Sequence, residues 1–148
     1  MSPLSYLMLV IVTMFNAITA IAGGVALLAT GGLGMPRSML VNGPFDSFLW
    51  PGIILLMVVG GTQVIAAILL LLRREAALLW TAVAGFAMII WIFVETGIIA
   101  AISWLQVVYF TTGICQLSLV LILLGVTSRL SRETQVSIGP PTSPVGRQ

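Results

Sequence analysis

Glu95 is the one charged residue between Glu75 and Arg129, set in the stretch I-I-W-I-F-V-E-T-G-I-I-A-A-I-S-W from Ile89 to Trp104. A carboxyl in such surroundings has few explanations: it pairs with a cation or backbone N–H groups, serves as a protonatable site in an outward-facing cavity, or snorkels to water. Asp46, Glu75 and Glu133 complete the acids, and the six basic residues are all arginine. Three amides, Asn16, Gln63 and Gln116, also lie inside apolar stretches. These are the groups from which any chemistry must be built.

The residue types exclude more than they allow. Histidine is absent, so there is no Ser-His or Cys-His relay and no HExxH zinc site. Cys115 is the only cysteine, which rules out an intrachain disulfide and a cysteine metal cluster. No metal and no cofactor is expected. The phosphate-loop motif needs a lysine, and Gly31-Gly32-Leu33-Gly34 follows no strand and opens no nucleotide fingerprint. A glycosidase-type pair needs two carboxyls at a defined separation. Only Asp46 and Glu95 fall towards the same side, and an enzymatic role would have to be that of a small lipid-modifying membrane enzyme built on them.

The elements that position these groups follow from composition. The chain has 148 residues, 59% hydrophobic and 7% charged, with a mean hydropathy of +1.19. Soluble domains carry about 25% charged residues, so this chain cannot cover itself with a polar shell. Its apolar runs reach the length of about 20 residues that a bilayer crossing needs. Four spans are predicted: residues 4–29, 51–72, 76–97 and 104–126. The last two come from one apolar stretch, Ala76 to Val126, which as a single helix would extend about 76 Å against a hydrocarbon core of about 30 Å. It must fold back, and the turn is expected within Thr96–Ser103.

The expected fold is all-α, a transmembrane four-helix bundle with a partly ordered outer loop between helices 1 and 2. Residues 1–127 form the membrane domain, and 128–148, polar and proline-bearing, form a disordered cytoplasmic tail. With four crossings, Arg73, Arg74, Arg129, Arg132 and Arg147 share one side and Arg37 stands alone on the other. By the positive-inside rule both termini are cytoplasmic, in a bacterial inner (plasma) membrane. Tyr6 and Trp80 then fall near the inner boundary, and Trp50 and Trp104 near the outer one, as interfacial anchors do. A cleaved signal peptide competes for the N-terminus at Ala20-Ile21-Ala22. Residues 1–6 carry no Lys or Arg, however, and the apolar run continues through Leu28.

Depth separates the polar groups into two sets. Counted from Ala76 at about 1.5 Å per residue, Glu95 lies about 28 Å along its helix, near the outer boundary. There the loop T-G-G-L-G-M-P-R-S-M-L-V-N-G-P-F-D-S-F-L-W (Thr30–Trp50) forms a lid. The expected working surface is Arg37, Asn42, Asp46, Glu95 and Gln106. Arg37 pairs with Glu95 in this reading, Asp46 caps or orients the start of span two, and Met and Phe side chains line a pocket. Asn16, Gln63 and Gln116 fall near mid-membrane on three helices and are expected to form an interhelical hydrogen-bonded layer. Thr62, Thr111, Thr112 and Ser118 can satisfy carbonyls of their own helices. Ala20 and Gly24, Thr81 and Gly85, and the Gly60-Gly61 pair mark close helix packing.

The segment N-G-P-F-D-S-F-L-W-P-G-I-I-L-L-M-V-V-G-G-T-Q (Asn42–Gln63) and the later I-S-W-L-Q (Ile102–Gln106) resemble a family of small bacterial four-span integral membrane proteins of uncharacterised function. The resemblance covers residues 5–126 and implies an inner-membrane bundle with no known reaction. The leading expectation is a non-enzymatic accessory subunit or hydrophobic-ligand and lipid-binding protein. Its partners would be membrane lipids, and other membrane subunits or further copies of itself, with no nucleic acid. The main alternative is a small-solute or proton-linked transporter with Glu95 as the titrating group.

Overall fold

The computed structural model describes residues 3–40, 43–99 and 104–125. Among them, four helices are long and apolar enough to cross a membrane: α1 (Pro3–Thr30), α2 (Leu49–Leu71), α3 (Ala77–Ile99) and α4 (Trp104–Leu123). The described residues contain no strand. The protein is an all-α four-helix bundle. Each helix packs on its neighbours in the order α1, α2, α3, α4, with α4 closing back onto α1. The tail at 128–148 and Asn42 lie outside the described residues.

The helix limits follow local chemistry. α1 stops at the glycine cluster: Gly31, Gly32, Leu33 and Gly34 all have positive φ. The Gly32 N–H turns back to the Leu27 carbonyl at 3.0 Å, a C-terminal cap that needs a left-handed residue. Glycine is also required at 32 for space, since a Cβ there would meet the Phe48 ring at 2.5 Å. α2 begins at Leu49, earlier than expected, which leaves Pro51 in the first turn where its missing N–H takes no helical bond away. At the other end of α2, Arg73 adopts φ 51°, a conformation disfavoured for a residue with a Cβ. Tyr6 compensates: its hydroxyl donates to the Leu70 carbonyl, and the Arg73 guanidinium lies 5.5 Å from its ring centre. α3 runs through Gly97 to Ile99 and α4 starts at Trp104, so the gap between the two helices lies within the expected 96–103; residues 100–103 are outside those described.

Three apolar tiers stack along the bundle. Leu9, Leu70, Ala77, Leu119, Val120 and Leu123 fill the end that carries the Arg73 turn. Ala20, Val59, Met88, Trp91 and Ile92 form a middle tier. Leu27, Leu40, Phe48 and Ile98 close the end that carries the α1–α2 loop. Between the first and second tiers lies a band of buried polar residues, Thr13, Asn16, Gln63, Thr81 and Gln116.

Glycines set how closely the helices approach. A Cβ on Gly24 of α1 would lie 2.8 Å from Leu56 Cβ, and one on Gly60 of α2 would lie 3.1 Å from Ile21. Gly85 and Gly113 do the same for α3 and α4, against Leu117 and Ile89. Within α2, residues Ile54–Gly60 take the wider π-helical form, ending at Gly60-Gly61.

The glycine contacts generate a contrast. Gly24→Ala forces Leu56 and its backbone apart and is expected to destabilise the fold by about 1–3 kcal/mol. Gly61→Ala meets nothing within 4 Å and is expected to be neutral or to stabilise by up to about 1 kcal/mol. Unfolding by titration with a denaturing detergent measures both.

Candidate functional site

The amide band is a closed network. Gln116 on α4 is its centre: its Oε1 accepts from Asn16 Nδ2 at 3.0 Å and from Gln63 Nε2 at 3.1 Å. Its Nε2 donates to Gln63 Oε1 at 3.2 Å and to the Thr81 carbonyl at 3.1 Å. Two donors and two acceptor sites are all that a glutamine amide has, and all four are used. Gln63 spends its second proton on the Ala84 carbonyl at 3.3 Å. Thr112 donates to Asn16 Oδ1 at 2.9 Å, which brings in a residue expected to serve only its own helix. Thr62 and Thr111 do bond within their helices, to Val58 and Val107. All four helices are thereby tied at one level, with Asn16, Gln63 and Gln116 fully buried.

On the loop side of this network the bundle opens into a cavity of about 650 Å³. Its walls come from every helix: Thr19, Ala22 and Gly23 of α1, Leu55 of α2, Met88, Trp91, Ile92 and Glu95 of α3, and Leu105, Gln106 and Tyr109 of α4. The α1–α2 loop lies over it and contributes Leu33, Met35, Met39, Leu40 and Phe48. Leu40 and Phe48 are buried, so this loop is part of the fold.

The candidate residues divide accordingly. Glu95 and Gln106 both line the cavity, Glu95 partly buried and Gln106 buried. Arg37 and Asp46 are exposed and line none of it. Asn42 lies outside the described residues. No ion pair joins Arg37 to Glu95 among the described residues, contrary to expectation. Arg37 opens a single 3-10 turn, Arg37–Leu40, whose buried residue is Leu40. Turning the leucine inward gains apolar burial, whereas burying the guanidinium would cost its hydration. Asp46 does not cap α2 either: the N-cap is Phe48, and no side chain bonds to that end.

Several wall residues were not singled out from sequence. Trp91 stands one helical turn before Glu95, and Tyr109 nearly one turn after Gln106, so each shares a face with a candidate polar group. That spacing was the available signal. Trp91 Nε1 and Thr13 Oγ1 are buried without a hydrogen-bond partner among the described residues. Three methionines, Met35, Met39 and Met88, give the walls adaptable side chains.

The network makes a quantitative demand. Gln116→Leu strands amide groups of Asn16 and Gln63 together and is expected to destabilise by about 1–3 kcal/mol or more, above the loss of one exposed hydrogen bond. Gln63→Leu alone should cost a similar amount. The double variant should cost clearly less than the sum, because each change has already removed the other's partner. A double-mutant cycle on detergent unfolding measures that shortfall; simple additivity would contradict a shared network.

Comparison with protein families, with curated proteins and with solved structures finds no match to this chain.

Proposed function

We propose that this multi-pass protein is not an enzyme and that it holds a hydrophobic ligand in the cavity beneath the α1–α2 loop. The lining carries the reading. Its volume of about 650 Å³ falls within the range of about 300–1,000 Å³ usual for small-molecule sites. The walls are apolar apart from Thr19, Glu95, Gln106, Tyr109 and the polar edge of Trp91. A few polar groups in an apolar enclosure orient a ligand without dominating its binding.

The setting belongs to the same reading. In this reading the membrane is a bacterial inner membrane with both termini cytoplasmic and the cavity at its outer side, an orientation that the arginine asymmetry supports. Membrane lipids are then the nearest source of ligand. A role as an accessory subunit is compatible, since the bundle's apolar flanks can meet another membrane helix as readily as lipid.

Transport with Glu95 as the titrating group is the weaker reading for a geometric reason. The cavity lining stops at Thr19, Leu55, Met88 and Tyr109. Beyond it lie the amide network and the apolar tier around Leu9 and Leu70. A through-path would have to part both.

Extraction of the protein in a mild detergent, followed by mass spectrometry of the intact particle, tests the binding. A discrete class of hydrophobic molecule is expected to be retained at up to one per chain. Gly23→Phe fills the cavity from a position where a Cβ would meet only Leu55, at 3.6 Å. It should keep native helicity and lose the bound species. A wild-type protein that retains nothing, or a variant that retains as much as wild type, sinks the reading.

A further inference from the structure

We infer, building on the ligand-binding reading, that the cavity takes its ligand sideways from the bilayer through the seam between α1 and α4. We further infer that this ligand is an amphiphile whose basic, hydrogen-bond-donating head group meets Glu95.

The route rests on which residues are shared between the cavity and the outside of the bundle. Phe15, Ile18, Ala22 and Val25 recur every three or four residues along α1 and are all exposed, the face turned away from the core. Ala22 nevertheless lines the cavity. Leu105 of α4 lines it too and is 44% exposed. The cavity wall therefore reaches the lipid-facing surface between these two helices. Towards the middle of the bundle the same seam is shut. Phe15 and Tyr109 stack with ring centres 6.5 Å apart, and Thr112 bonds to Asn16. Two other seams are drawn closed by glycines: Gly24 and Gly60 bring α1 onto α2, and Gly85 and Gly113 bring α3 onto α4.

The head group rests on charge. Among the described residues, Glu95 is the only charged side chain in the cavity wall. The chain has no lysine or histidine, and Arg37, the arginine of the covering loop, is exposed and outside the lining. A fatty acid or a phosphate head would bring a second negative charge beside a carboxylate with no cation to offset either. An ionised carboxylate in an apolar enclosure is stable only when paired. A ligand amine supplies that missing partner, with its chain lying among Met35, Met39, Met88 and Ile92.

Dodecylamine, dodecanol and dodecanoate share one chain and differ only at the head, so they serve as probes in micelles of an uncharged detergent. Wild-type protein is expected to bind the amine at least about tenfold more tightly than the alcohol, with the carboxylate weakest. In Glu95→Gln the preference of amine over alcohol should disappear while alcohol binding persists. Dodecanoate binding as tightly as the amine, or a preference that survives Glu95→Gln, overturns the head-group assignment. Binding of none of the three to wild type would instead remove the ligand-binding reading itself. For the route, Ala22→Trp narrows the seam and should slow amine association at least about tenfold, whereas Ser38→Trp, in the exposed part of the loop and outside the lining, should not. The reverse pattern places access at the loop and overturns the sideways route. Helicity and unfolding of each variant, measured alongside, separate a blocked seam from a damaged fold.

Discussion

The rest of the structure hangs on the saturated amide of Gln116. Between helices in lipid there is no water to take up a polar group left over, so buried amides must find one another or a backbone carbonyl. Gln116 meets Asn16, Gln63 and the Thr81 carbonyl at once, which fixes the relative height of all four helices. A slip of one helix by a single turn would remove several of these bonds together. Individually such contacts contribute modestly in membranes, about 0.6 kcal/mol on average. Their weight here comes from being mutual: each residue's loss strands another. Apolar packing alone, with side chains as fluid in shape as Leu and Ile, would tolerate many registers.

With that level fixed, the glycines decide where the bundle is tight and where it is open. Gly24 and Gly60 bring α1 and α2 into close approach, and Gly85 and Gly113 do so for α3 and α4. The bundle is thus two closely docked pairs. Among the described glycines, none makes a comparable approach between α1 and α4. That seam is held by the Phe15–Tyr109 stack and the Thr112–Asn16 bond, both at or near the amide level. On the loop side of those contacts space remains for the cavity. The loop then covers it with Leu40 and Phe48, held by Gly32 and Gly43, whose missing side chains admit Phe48 and Ile98.

Sequence was informative where the physics is local or one-dimensional. Apolar length and the fold-back argument located four helices, with limits that moved by only a few residues. Counting residues along each span put Asn16, Gln63 and Gln116 at a common depth, and the structure joins them. Position along a helix did not say which way a side chain would face across the bundle. Thr112 does meet a carbonyl of its own helix, that of Tyr109 at 3.0 Å, but its reach across to Asn16 is not visible in spacing, and neither is the inward turn of Trp91. The pairing of Arg37 with Glu95 failed for a related reason. Two opposite charges on one side of a membrane are not obliged to meet when a 3-10 turn places a leucine inward and leaves the arginine hydrated. Asp46 was likewise credited with a cap because of its type, although α2 starts after Phe48 without a side-chain cap.

The same network that sets the register also bears on what the cavity can do. A conduit needs its floor to open, and here the floor is the Phe15–Tyr109 stack above a layer of mutually satisfied amides. Opening it would leave Asn16, Gln63 and Gln116 facing each other across a gap in a low-dielectric interior, a situation that costs more than the bonds are worth unless water follows. Water could follow only past Leu9, Leu70, Leu119 and Val120 from one end, or through an apolar cavity from the other. A bundle sealed at one level, tight along two seams and less tightly drawn along a third is suited to the role proposed for it, receiving a molecule through lipid and holding it without passing it on.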